Sequence, residues 1–176
     1  MANCGTKAEA PYKTQPIAND TRWNNAKTVM RTLLGAGLGL KDYMVAGIIG
    51  NMWMESQMNP TTYIATDNGE GQSGGLCQWH DAVNGNGRFT NLKNYSNKIG
   101  KTWQDLPTQV KFLTNELQTK KYSGVLSELL QSRDETEATM IFCEKFEVST
   151  ACWKGKIPTE RIYKAKDVLQ KWRQEN

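Results

Sequence analysis

Nowhere does the sequence hold an apolar run approaching the roughly 20 residues that a membrane-spanning helix needs, although 38% of its 176 residues are hydrophobic. The apolar residues fall instead in short periodic clusters, enough for one compact core, so a soluble protein without membrane insertion is expected. Histidine is almost missing, with His80 alone, which leaves poor material for a zinc site built from Cys77, His80 and distant cysteines. Charge of one sign is scarce too, at a net +4. A mildly basic surface steers any polyanion, but the basic residues are dispersed up to Lys154. From there to Arg173 they read as the solvated face of a last helix, so no nucleic-acid partner is expected. The stretch Met1 to Pro11 offers no apolar segment that could serve as a signal peptide. Either no export by the general route, or a signal already removed, is the expectation. Cysteine is limited to Cys4, Cys77, Cys143 and Cys152, and without an export signal these are expected as free thiols. Repeats, low-complexity tracts and linkers are lacking as well.

What is present is a succession of helix signals. Residues 1–18 carry Pro11 and Pro16 and read as an extended arm, and residues 19–176 as a single domain. Asn19 or Asp20 can cap a helix whose Trp23, Ala26, Val29, Met30, Leu33 and Leu34 recur at helical spacing, with Gly35, Gly37 and Gly39 ending it. A second helix is expected from Lys41 to Met58, with Asn59-Pro60 as its stop. Beyond a polar, Gly-rich stretch at 61–87, Phe89, Leu92, Tyr95 and Ile99 mark a third. Asp105 and Pro107 open a helix with Val110, Leu113 and Leu117 on one face. Val125 to Leu130 reads as a short helix. Asp134, with Glu135 and Glu137 in the first turn, opens one that buries Met140, Ile141, Phe142 and Phe146. Pro158 starts the last, with Ile162, Ala165, Val168, Leu169 and Trp172 inward. The expected class is mainly α, with about six to eight helices. The loop or short β-ribbon at 61–87 would form one side of a cleft.

One residue breaks the pattern of the second helix. At about 100° per residue, Met44, Val45, Ile48, Ile49 and Met52 form one apolar sector, and Glu55 falls inside it. A carboxyl there is either paired or held protonated by desolvation, and a carboxyl protonated near neutral pH is what a general acid requires. Two plainer arrangements also fit: a Glu leaning to water at the helix end, or one ion-paired with Arg88 or Arg161.

Within the loop, Gly69-Glu70-Gly71-Gln72-Ser73-Gly74 matches the dinucleotide-binding pattern in spelling only. No apolar strand precedes it, and Cys77-Gln78-Trp79 follows where a helix should start. The glycines supply close backbone approach instead. Gln78 and Trp79 offer an amide and an aromatic face, a pairing that suits sugar rings. A plain core tryptophan is the competing reading of Trp79.

Several segments together resemble the phage tail lysozyme family. They are Gly47-Ile48-Ile49-Gly50-Asn51-Met52-Trp53-Met54-Glu55-Ser56-Gln57-Met58-Asn59-Pro60, Gly75-Leu76-Cys77-Gln78-Trp79, and Arg88 with Leu92. Gln109, Phe112-Leu113, Glu116-Leu117, Phe146-Glu147 and Arg161 through Ala165 are similar to the family's helical half. The resemblance runs from Val29 to Leu169. It implies an α+β fold similar to lysozymes and lytic transglycosylases. The implied activity is a muramidase cleaving the β-1,4 bond between N-acetylmuramic acid and N-acetylglucosamine in bacterial peptidoglycan, without cofactor or metal. Glu55 would be the catalytic acid, and Glu70, Gly75, Gln78 and Trp79 would line the substrate. Asp67 is the first choice for the second carboxyl, ahead of Glu70, with Asp81 also in the loop. Cys77 falls at a small apolar position of the family and is read as core, not as the nucleophile of a Cys-His peptidase. The resemblance also implies carriage on a phage tail beside other tail or hub proteins, or release by lysis. A lytic transglycosylase acting on the same bond, and a non-catalytic module that binds peptidoglycan, are the alternatives.

Overall fold

The computed structural model describes residues 12–67, 69–82 and 86–176. Its elements in chain order are α1 (Thr21–Gly35), α2 (Asp42–Ser56), β1 (Tyr63–Ile64), β2 (Ser73–Gly74), β3 (Trp79–His80), α3 (Arg88–Lys98) and α4 (Leu106–Gln118). There follow α5 (Ser123–Gln131), α6 (Glu135–Phe142), a π-helical turn (Cys143–Glu147), a 3-10 turn (Thr150–Gly155) and α7 (Thr159–Glu175). The mainly helical α+β class expected from the sequence is what forms. No helix among the described residues is long and apolar enough to cross a membrane.

Three helix starts are set by local chemistry that the sequence displays. Asp20, Asp105 and Asp134 each place a carboxylate oxygen on the backbone N–H three residues on, at 3.1, 3.0 and 2.8 Å, satisfying a donor that has no partner inside the helix. The core is organised around α2. Every residue from Met44 to Trp53 is buried, so the helix is wrapped on all sides and not amphipathic. Helices α6 and α7 pack on it, and two glycines permit their approach. A Cβ on Gly47 would stand 2.7 Å from the Thr139 amide nitrogen, and one on Gly50 would stand 2.5 Å from the Arg161 carbonyl oxygen.

Helix α2 ends before the Asn59-Pro60 stop. Gln57 and Met58 both take left-handed φ values, 53° and 59°, and the Asn25 side-chain amide donates to the Met58 carbonyl at 2.9 Å. The chain then enters a three-stranded antiparallel ribbon, order β1-β2-β3, with Tyr63 opposite Gly74 and Gly74 opposite Trp79. Two bonds tie this ribbon to the end of α2. The Thr62 hydroxyl donates to the Ser56 carbonyl at 3.3 Å, and the Gly75 amide donates to the Thr62 carbonyl at 2.9 Å.

Two expectations need correction. The helix expected through Phe146 stops at Phe142 and widens into the π-turn, so its last residues swing away from α-helical phase. The expectation of free thiols fails for one pair. Cys143 and Cys152 form a disulfide with a Cα–Cα distance of 6.3 Å, a separation within bridging range, because the π-turn and the 3-10 turn fold back on each other. Cys77 is free and buried, and Cys4 lies outside the described residues. So do the first eleven residues of the expected arm. Its remainder is docked on α7: Tyr12 stacks on Tyr163 at 3.8 Å, and the Gln15 amide donates to Asp167 at 2.6 Å.

Candidate active site

Glu55 occupies the last turn of α2 with 23% of its side chain exposed. It is therefore neither sealed in the core nor free in water. Arg161, at the start of α7, donates from Nη2 to Glu55 Oε1 at 2.6 Å and to the Ser149 hydroxyl at 3.1 Å. Its Nη1 donates to Asn51 Oδ1 at 3.1 Å. Asn51 in turn donates to the Gly47 and Thr139 carbonyls at 2.9 and 3.1 Å. The guanidinium is thus aimed by α2 and by the segment beside the disulfide, and it presents a fixed positive fork to the Glu55 carboxyl. This is the Arg161 pairing that the sequence left open. The close approach at Gly50 brings α7 near enough for it.

The ribbon residues divide. Gly75 has φ 81°, and a Cβ there would meet Gln109 Oε1 and the Trp79 ring, both at 2.9 Å, so its role here is a close turn over α4. Gln109 holds that turn, accepting from the Leu76 amide at 2.9 Å and donating to the Pro60 and Trp103 carbonyls, each at 2.7 Å. Trp79 is fully buried and donates from Nε1 to Glu116 at 2.6 Å, so in this conformation it presents no face to a sugar. Its expected place at the cleft surface gives way to a place beneath it. Gln78 sits at φ 44° and donates to the Gly75 carbonyl at 2.9 Å, while its Oε1 is buried without a partner.

Asp67 accepts the Ser73 hydroxyl at 2.6 Å, and His80 Nδ1 lies 3.0 Å from the same Ser73 oxygen. Glu70 is largely exposed, 3.8 Å from His80 Nε2. Asp67, Glu70, Ser73 and His80 therefore form one polar group within the ribbon. Asp81 is buried and accepts from the Thr90 amide and hydroxyl at 2.8 and 2.7 Å, which makes it a fixture of the start of α3. Burial, with Glu147 adding to it, pushes the Cys77 thiol well above its usual range. A thiol so held is no nucleophile.

Glu147 is the last residue of the π-turn. Its Oε1 is buried and partnerless. Burial pushes its carboxyl up to about 8, and the negative charge of Glu55 adds to that push, against the opposing influence of Arg88, Arg161 and the Cys77 thiol. Arg88, the first residue of α3, holds the residue before Glu147. This guanidinium forks onto Glu116 at 3.0 Å through both Nε and Nη2 and donates from Nη1 to the Phe146 carbonyl at 3.0 Å.

Phage tail lysozyme is the family whose model matches this chain, over residues 24–172. The chain belongs to the phage tail lysozyme family. No individually curated protein matches it. Membership makes the function lysozyme-like and directed at peptidoglycan, and the matched span contains every site residue named above. Among tail lysozyme features, sequence reasoning passed over Glu147 as a chemical group, quoting it only within Phe146-Glu147. The available signal was the one that had singled out Glu55. Glu147 follows the buried Cys143 by four residues, so helical spacing puts this carboxyl on an apolar face as well.

Proposed function

We propose that the protein is a peptidoglycan glycan-strand hydrolase that cleaves the β-1,4 bond between N-acetylmuramic acid and N-acetylglucosamine, with Glu55 as the general acid. The observation that carries this is the placing of Glu55 in a chain of the phage tail lysozyme family: a carboxyl at the open end of a buried helix, one-quarter exposed. In the reaction, Glu55 gives its proton to the glycosidic oxygen as the bond to the sugar carbon breaks. The carboxylate left behind is stabilised by Arg161. Asp67 is the second carboxyl of this reading, oriented by Ser73 and His80, and a water it activates supplies the oxygen of the new reducing end. The exposed Glu70 is the polar group offered to the sugar, with Gln78 holding the turn at Gly75, and the half-exposed Tyr63 of β1 takes the stacking role first assigned to Trp79. Carriage on a phage tail, for local penetration of the cell wall, is the setting that the family favours, and the Cys143–Cys152 disulfide suits action outside a reducing cytosol.

A second reading, transglycosylase chemistry on the same bond, is favoured by one observation: the short bond that commits Asp67 to Ser73. There the sugar's own 6-hydroxyl attacks and no second carboxyl is needed. Mass spectrometry of fragments from purified peptidoglycan separates them. Reducing N-acetylmuramic ends are expected; anhydro ends would transfer the assignment to the second reading, and an undigested glycan would overturn both.

A further inference from the structure

Ser149 stands between the disulfide and the Glu55 site. Its hydroxyl oxygen accepts from Arg161 Nη2 at 3.1 Å, and the same nitrogen donates to Glu55 Oε1 at 2.6 Å. Each of that nitrogen's two protons thus has one acceptor, so the place of Ser149 bears on the direction of the bond to Glu55. The turn that carries Ser149 owes little to the core. Val148, Trp153 and Ile157 are each more than half exposed, so burial of their side chains adds little. Its backbone bonds are local. The Ser149 amide donates to the Cys143 carbonyl at 3.1 Å, the Cys152 amide to the Ser149 carbonyl at 3.0 Å and the Lys156 amide to the Trp153 carbonyl at 3.2 Å. Val148 is β-branched yet takes a left-handed φ of 51°, a strained conformation that a chain keeps only where its surroundings impose it. The Cys143–Cys152 bond closes a loop around both Val148 and Ser149.

We propose that Ser149 is a positioning residue for the Glu55 chemistry, and that the Cys143–Cys152 bond regulates the site by holding Ser149 against Arg161. This rests on the reading of Glu55 as the acid. With the bond formed, Arg161 is held by Ser149 and Asn51 as well as by Glu55, and it meets the carboxylate left by proton transfer in a set direction. With the bond open, Val148 is free to relax and Ser149 moves off. The guanidinium then keeps Asn51 alone as its positioning acceptor, and the folded dithiol form turns over slowly. Ser149 itself touches no substrate. The interconversion is thiol–disulfide exchange. A dithiol reductant gives two electrons and two protons: the S–S bond breaks, two protein thiols form and the reductant becomes a cyclic disulfide. In the other direction a small-molecule disulfide, such as oxidised glutathione, takes the two electrons and two protons and leaves as two thiols. A chain in a reducing cytosol is therefore slow, and it gains its rate on oxidation outside.

The test is steady-state kinetics on soluble glycan fragments, with the protein oxidised by glutathione disulfide or reduced by dithiothreitol and circular dichroism recorded on both. The reduced protein is expected to keep its helical signal and its KM while kcat falls about tenfold. Ser149→Ala, which retains the disulfide, is expected to show the same fall when oxidised and no further fall on reduction, because the bond acts through this hydroxyl. Ser149→Thr restores the hydroxyl and is expected to recover most of the rate. The double variant Cys143→Ser, Cys152→Ser is expected to be slow in both conditions; a response to dithiothreitol there would assign the effect to another cysteine and overturn the proposal. Equal kcat in the two redox states, full kcat in Ser149→Ala, or loss of the helical signal on reduction would each overturn it too. Glu55→Gln separates this inference from the reading beneath it. Inactivity of that variant in both redox states keeps Glu55 as the acid whatever the disulfide does, and full activity would remove that reading and this inference with it.

Discussion

At the residue scale, the site is a set of charges whose partners are fixed one by one. Glu55 has Arg161, Glu116 has Arg88 and Trp79, Asp81 has the start of α3, and Glu147 Oε1 is left without a hydrogen-bond partner. That isolation has a thermodynamic sign. The Glu147 carboxyl stands at about 8 in the folded protein against an ordinary 4.5, so the folded chain binds a proton that the unfolded chain releases between those values. Its contribution is fully present below about pH 4.5 and is lost as pH rises towards 8, amounting to roughly 3 to 5 kcal/mol across the window. Urea denaturation at a series of pH values is expected to show that decline in the unmodified protein and a flatter curve in Glu147→Gln. Equal slopes would show that burial does not hold the proton there. Much of this scale was legible in the sequence where the chemistry is local. The capping aspartates and the misplaced Glu55 were visible because each is defined by neighbours three or four positions away. Trp79 was not, because whether a tryptophan lies on a cleft or under it depends on α4, which supplies Glu116 from a distant part of the chain.

At the scale of elements, the site is held by the approach of α7 to α2 and by the covalent staple beyond α6. Gly50 is the contact point of the first. Gly50→Ala would put a methyl group 2.5 Å from the Arg161 carbonyl oxygen and 2.9 Å from the Ala165 Cβ. The cost of such overpacking is about 1 to 3 kcal/mol, and the displaced Arg161 should lower kcat more than it raises KM. Thermal melts and steady-state kinetics on the same preparation check both parts. The staple is the Cys143–Cys152 bond, spanning nine positions and enclosing Glu147. Cys152→Ser is expected to lose about 2 to 3 kcal/mol by loosening this segment, a fall of roughly 5 to 10 °C in Tm. A Tm unchanged from that of the unmodified protein would count against a structural role for the bond. The sequence hid this bond for a physical reason. Pairing depends on the π-turn and the 3-10 turn bringing two cysteines together, and no periodic pattern encodes that meeting.

At the scale of the whole molecule, one apolar cluster reaches from Ile17 on the docked N-terminal segment to Leu169 on α7, and the ribbon is fastened to the end of α2. The class and most helices were legible because the helices are long, periodic and capped. The ribbon was legible only as a Gly-rich interruption, since strands of two residues carry no alternation to read. The functional reading depends on this arrangement bringing Glu55 to the surface beside Arg161 while the rest of its helix stays buried. Clearing of purified peptidoglycan by Glu55→Gln, whose side chain keeps its shape but has no proton to give, tests that reading most directly. The account predicts a loss of about 100-fold or more with the circular dichroism spectrum unchanged, and clearing at the unmodified rate would contradict it.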